Sequence, residues 1–208
     1  GGESVVDYLE AFKVDLFLTT NVQDAQRVID GQVCAAAILQ PPPADAQSLP
    51  EDQVRIAFDG DAVLFDEASE MVFKQDGLDR FAALEDEKRL EPMNDGPYAN
   101  FLRKLSVLQK RLPFSVELSP VRVAIITARG TPAEMRVINT LRDWNVYVNE
   151  IFFLGGVEKS NVVRAFRAHI FFDDQDLYLE TTARHVPSGK VPYKSNSRLR
   201  EAGQKKDR

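Results

Sequence analysis

The chain has 208 residues, 44% of them hydrophobic and 28% charged, which is the balance of an ordinary globular protein and excludes wholesale disorder. A net charge of −6 and an isoelectric point near 5.1 argue against a nucleic-acid polymer as partner, yet allow a small phosphorylated substrate held by a metal and local cations. The longest uncharged apolar run, Val33–Leu39, falls far short of the roughly 20 residues that span a bilayer, so no membrane partner is expected.

Residues 1–39 predict a helix–strand–helix–strand segment. It holds the single cysteine, Cys34, in an apolar run where a buried thiol is expected and no internal disulfide can form. A reducing, cytoplasmic location fits, and no basic stretch followed by an apolar one opens the chain to suggest secretion. Residues 40–53 carry four prolines without apolar periodicity and read as a linker. The main domain is expected over 54–193, with strands at 54–58, 121–127, about 146–154 and 169–172 and helices at 132–143 and 158–167. Such alternation indicates parallel βαβ units, an α/β fold with a Rossmann-like parallel sheet and helices on both faces.

The interval between the first two of these strands is too long for one crossover helix. Met71, Leu78, Phe81 and Leu84 are partly in helical register, and Phe101, Leu102, Leu105, Leu108 and Leu112 form a cleaner stripe. The stretch 66–115 is read as a helical cap over the mouth of the sheet, with a hairpin packed on one sheet face as the plainer alternative. Thr131-Pro132-Ala133-Glu134 has the form of a capping box with proline at the first helical position. Residues 194–208 are polar and charged and read as a disordered tail.

A shift of 154 positions aligns Gly1-Gly2 with Gly155-Gly156, Ala11-Phe12 with Ala165-Phe166 and Phe17 with Phe171 without a gap. Lys13 then matches Arg167, and Asn21 matches Gln175. Val5 stands opposite Lys159, and Thr19-Thr20 opposite Asp173-Asp174. The early copy keeps the apolar frame and loses the charged residues.

Three apolar runs end on polar residues: Val54–Phe58 on Asp59-Gly60-Asp61, Val123–Ile126 on Thr127, and His169–Phe172 on Asp173-Asp174. Each ending alone is commonplace, for Asp-Gly-Asp also occurs in ordinary turns and paired aspartates often only solvate a sheet edge. Their order, with Lys159 at a helix start between the last two, is far more specific, and open α/β sheets bind ligands at such strand ends.

That order resembles the haloacid dehalogenase-like phosphohydrolases over nearly all of residues 54–176. FDGDAVLF, ITARGTP, VNEIFFLGGVEK, HIFFDDQ and ARHVPSG are together similar to the type I cytosolic 5′-nucleotidase family, which removes phosphate from nucleoside monophosphates with magnesium. AFKVDLFLTTNVQDA resembles a stretch of that family upstream of its catalytic half, so by this likeness the chain begins in mid-family.

The resemblance implies a division of labour. Asp59 is the expected nucleophile, and Asp61 the general acid that protonates the leaving ribose oxygen and then the base that activates water. Thr127, with backbone N–H groups at Gly60 to Asp61 and near Ala128, is expected to hold phosphoryl oxygens, and Lys159 adds positive charge. Asp59, Asp173, Asp174 and the Asp61 carbonyl are the expected Mg²⁺ ligands, with one of Asp173 and Asp174 binding directly and the other partly through water or Lys159. Phe65, Asp66, Glu67, Ser69 and Arg129 are candidates for contacts to the nucleoside or phosphate. Against each stands a structural role, core packing for Phe65 and helix capping for Asp66. His185 and His169 are expected to be structural. A nucleoside monophosphate is the small-molecule substrate implied. A phosphatase for another small phosphate ester and a non-catalytic nucleotide-binding fragment are the alternatives, and an exposed apolar patch on the first segment would favour a homo-oligomer.

Overall fold

Apolar residues occupy successive positions of the central strands because both faces of the sheet are covered. The computed structural model describes residues 5–44, 48–115 and 118–200. In chain order the elements are α1 (Val5–Ala11), β1 (Leu16–Thr19), α2 (Val22–Gly31), β2 (Ala35–Leu39), β3 (Val54–Phe58), α3 (Ala68–Glu87), α4 (Ala99–Arg111), β4 (Val121–Thr127), α5 (Glu134–Asp143), β5 (Glu150–Phe153), α6 (Lys159–Phe166), β6 (Ile170–Asp173), α7 (Asp176–Thr182) and β7 (Ser188–Lys190). All the strands join one sheet in the order β1-β2-β7-β6-β3-β4-β5.

This is the expected α/β architecture, with one addition. β7, β6, β3, β4 and β5 are mutually parallel, and so are β1 and β2, but β2 meets β7 antiparallel through Ile38 opposite Lys190 and Leu39 opposite Gly189. The first segment therefore runs against the rest of the sheet. The two missed elements explain why the sequence did not indicate this: α7 is short, and β7 is Ser188-Gly189-Lys190, without apolar alternation.

Strand residues alternate between two cores, as the pleat requires. Phe58, Val123, Ile125 and Phe172 pack with Tyr98, Leu102 and Leu105 of the α4 region and Val137 and Leu141 of α5 on one face. Ala57, Ala124, Ile126 and Phe171 pack with Val163 and Phe166 of α6 and Leu179 of α7 on the other. A third cluster joins Leu9, Val28, Ile29 and Ala36 under α1 and α2.

The two inserted helices behave differently. α4 buries Leu102 and Leu105 against the sheet and leaves Leu108 exposed, so it is a face-packing helix. α3 is broken at Gly77, whose φ of +83° lies where glycine is favoured, and Leu78 beside it is exposed. It reaches the strand ends instead, through Glu70 and Glu85. The loop before α4 is drawn tight onto the chain after β3, since a Cβ on Gly96 would come within 2.4 Å of the Phe65 carbonyl oxygen.

Two local expectations change. α5 starts at Glu134 and not at Pro132: Thr131 spends its hydroxyl proton on the Glu134 carboxylate at 3.0 Å, and the preceding turn is closed from Ala133 N–H to the Gly130 carbonyl at 2.8 Å. Residues 194–200 pack onto the body, with Leu199 buried and Ser195 bonded through its N–H and hydroxyl to Asp30. Residues 201–208 of the expected tail, like 45–47 of the expected linker, lie outside the described residues.

Candidate functional site

The parallel register of β3 with β4 and β6 brings the ends of these three strands side by side. Asp59 leaves β3 with its N–H bonded to the Phe172 carbonyl at 2.8 Å, which fixes it beside the start of the Asp173-Asp174 pair. The carboxylates of Asp59, Asp173 and Asp174 each offer an oxygen within 4.8 Å of the others, and all three residues are buried. Lys159, at the first turn of α6, lies between two of them, with Nζ 2.7 Å from Asp173 Oδ2 and 3.1 Å from Asp59 Oδ1. Its ammonium also sits 3.9 Å from the centre of the Tyr178 ring.

One lysine does not balance three buried acids. Burial, partly offset by Lys159 and reinforced by Asp173, pushes the Asp59 carboxyl up to about 8. Burial also raises Asp173 despite Lys159, and burial with the neighbouring Asp173 charge raises Asp174 well above the usual carboxylate range. Lys159 answers in kind: burial disfavours its charge, yet Asp59 and Asp173 outweigh burial and hold it above the ordinary lysine value. Asp174 Oδ1 is buried with no hydrogen-bond partner among the described residues, while Oδ2 accepts from the Tyr193 hydroxyl. An unpartnered carboxylate oxygen beside two further carboxylates, an all-oxygen set of possible ligands, fits a hard divalent cation, which would supply both the missing partner and the missing charge.

After Asp59 the chain makes a wide turn over Gly60–Leu64, closed by Phe65 N–H to the Gly60 carbonyl at 3.0 Å. Gly60 fits closely there, since a Cβ would sit 3.1 Å from the Thr127 hydroxyl oxygen. Ala62 takes a left-handed φ of +59°, a costly conformation for a residue with a Cβ. Asp61 points its carboxylate at Arg129, receiving Nε at 2.8 Å on Oδ2 and Nη2 at 2.6 Å on Oδ1.

The 5′-nucleotidase family matches residues 1–198. This chain belongs to that family. It is 35% identical over 187 residues to the human protein named cytosolic 5′-nucleotidase 1B, an alignment that takes in 88% of this chain and 30% of that relative. No solved structure matches.

Within this 5′-nucleotidase-family chain, Asp59, Gly60, Thr127, Lys159, Asp173 and Asp174 come together at the strand ends, with Asp61 on the adjoining turn. Other candidates fall elsewhere. Phe65 is wholly buried in the core beside Trp144, their ring centres 5.6 Å apart. Ser69 is buried and donates to Glu85 at 2.7 Å. Asp66 lies one residue before the N-cap Glu67 of α3, accepts the Ala68 N–H at 3.2 Å and holds Asn94 at 2.8 Å, while Glu67 accepts from Ser197. Ala128 is exposed, and Arg129 is buried against protein carboxylates. The Gly60 N–H donates to Asp59 Oδ1 at 2.7 Å. His169 takes the Arg55 N–H at 3.0 Å, and His185 N–H closes a turn onto the Thr182 carbonyl.

Four residues near the site had no distinguishing signal. Glu70 of α3 is buried, accepts from Gln175 Nε2 at 2.9 Å and pairs with Lys74, and its Oε2 has no hydrogen-bond partner among the described residues. Glu85 sits among many charges of one helix, and Tyr178 and Tyr193 belong to segments without periodicity.

Proposed function

We propose that this chain carries the catalytic centre of a magnesium-dependent 5′-nucleotidase that hydrolyses nucleoside 5′-monophosphates to nucleoside and phosphate. The observation that carries this reading is the trio Asp59, Asp173 and Asp174 around Lys159, with an unpartnered Asp174 oxygen. Family membership and the printed name of the human relative support it, and that name also supports a cytosolic setting.

In the first displacement, an Asp59 carboxylate oxygen forms a bond to phosphorus as the bond to the ribose 5′-oxygen breaks, and Asp61 gives the departing oxygen its proton. In the second, Asp61 takes a proton from water, the water oxygen bonds to phosphorus, and the electron pair of the breaking bond returns to Asp59. Lys159 and the Thr127 hydroxyl stabilise charge on the phosphoryl oxygens throughout. Asp59, Asp173, Asp174 and the Asp61 carbonyl would hold Mg²⁺, which when bound supplies Lewis-acid stabilisation of that charge.

A cavity of about 860 Å³ lies between the first segment and the α4 region, bordered by Leu9, Cys34, Ala62, Asp66, Phe101 and Tyr193 but by none of Asp59, Thr127, Lys159, Asp173 and Asp174. Two of its border residues connect to the site, Ala62 by following Asp61 and Tyr193 by donating to Asp174, and its volume has room for a nucleoside. Phosphate release should be measured from a panel of nucleoside monophosphates and sugar phosphates, with magnesium and with a chelator. Metal-dependent release favouring the nucleotides is the expected result. A preference for sugar phosphates would assign another ester, and no release from any ester would leave a binding fragment.

A further inference from the structure

Among the described residues the Asp61 carboxylate is held by a single side chain, and that side chain is anchored in turn to the helix above it. Both recorded partners of the carboxylate are Arg129 nitrogens, at 2.8 and 2.6 Å, in the parallel fork geometry that fixes orientation as well as charge. The turn around Asp61 is non-helical, with ψ of 140° at Asp61 and the left-handed Ala62 next to it. Arg129 itself is 4% exposed, and further protein groups meet its fork. Its Nη1 pairs with Glu85, its Nη2 lies 3.2 Å from Met93 Sδ, and its guanidinium carbon stands 5.3 Å from the Phe81 ring centre.

Glu85 is fully buried on α3 and is itself fixed from two sides. Its Oε1 accepts from Ser69 at 2.7 Å and from Arg136 Nη1 at 2.9 Å, and Arg136 Nε holds the Glu91 carbonyl at 3.0 Å. Two guanidinium groups and two carboxylates thus form one charge-balanced chain, buried except at the partly exposed Asp61, from α5 through α3 to the turn after β3. Burial disfavours the Arg129 charge, but Asp61 and Glu85 outweigh it and keep the guanidinium above its ordinary value.

We propose that Glu85 and Arg129 are a positioning pair that aims the Asp61 carboxylate at the leaving oxygen, a role that rests on the phosphoester-hydrolase reading above. Arg129 acts through Asp61 and not on the substrate, because it is 4% exposed and its Nε, Nη1 and Nη2 each already meet a protein acceptor. A general acid works only within hydrogen-bond reach of the oxygen it protonates, so a carboxylate free to rotate loses much of its effect. The bidentate grip removes that freedom and leaves each oxygen a lone pair on its other side.

The test compares two esters. A nucleoside monophosphate expels an alkoxide that needs a proton, whereas p-nitrophenyl phosphate expels a stable anion that does not. In Glu85→Gln and in Arg129→Lys, kcat/KM for the nucleotide should fall about 10- to 100-fold while kcat/KM for p-nitrophenyl phosphate falls less than about threefold. An equal fall for both esters, or no fall for either, overturns the proposal. Should Glu85→Gln not fold, Glu85→Asp, which keeps the charge but shortens its reach, should give the same split in smaller measure.

Nuclear magnetic resonance of the Arg129 Nε–H reads the clamp without turnover. A slowly exchanging signal in the parent chain, lost in both Asp61→Asn and Glu85→Gln, supports the pair even if no ester is hydrolysed. A freely exchanging signal in the parent chain rejects it, whatever the activity.

Discussion

The unit α1–β1 and the unit α6–β6 are built on one frame and differ in what they hold. Shifted by 154 positions, Val5 falls on Lys159 and Leu16–Thr19 falls on Ile170–Asp173, so both strand boundaries coincide. Lys13 and Arg167 are both left-handed, at φ of 53° and 56°, and each N–H closes the preceding helix at 3.0 Å onto Glu10 and Arg164 respectively. After the strand, Asn21 N–H reaches back to Thr19 Oγ1 at 3.0 Å, and Gln175 N–H reaches back to Asp173 Oδ1 at 2.8 Å. A hydroxyl suffices for that turn. A carboxylate makes it with one oxygen and has the other free for Lys159, so chemistry was added to, or removed from, this frame without altering its turn. Direction completes the contrast: because β2 meets β7 antiparallel, the end of β1 faces the opposite edge of the sheet from the end of β6.

The comparison breaks first at the charged positions. Lys159→Ala and Asp173→Asn should each lower turnover of a phosphate ester by about 10²- to 10³-fold, whereas Val5→Ala and Thr19→Ala should leave it within about twofold, as steady-state rates would read. A comparable loss from Thr19→Ala would mean that the first unit takes part in catalysis. A smaller effect concerns the cation. Mg²⁺ at about 100 times its dissociation constant should add about 2.7 kcal/mol to the stability of the parent chain, read as a rise in melting temperature. Asp174→Asn should lose most of that gain and Thr20→Ala none of it. If Thr20→Ala also lost the gain, the cation would not be confined to the β6 end.

The smallest effect tests the frame itself. Lys13→Gly should stabilise the chain by about 0.5–1 kcal/mol, since a side chain at that backbone angle is strained. Arg167→Gly should gain less, because Arg167 also binds the Ser48 carbonyl through its guanidinium. Denaturant unfolding checks the order, and opposite signs at the two positions would mean that the matching angles carry different strain.

The ends of β3, β4 and β6 were legible because apolar runs stop abruptly on polar residues, and the repeat was legible because Ala11-Phe12 and Phe17 recur in register. Strand direction was not, since the antiparallel junction depends on β7, three residues of Ser-Gly-Lys with no alternation to read. The Arg129 clamp was hidden for another reason. Its partners Asp61 and Glu85 belong to separate elements, and only the path of α3 across the strand ends brings Glu85 to Arg129. Leu199 and Ser197 gave too few apolar anchors to mark 194–200 as packed, although both are buried.

Mass spectrometry after acid quench during turnover of a nucleoside monophosphate tests the central claim most directly. The account predicts phosphate attached to the peptide containing Asp59 and absent from Asp59→Asn, which should also have lost turnover. Turnover without a phosphorylated Asp59, or phosphate found on another residue, would contradict it.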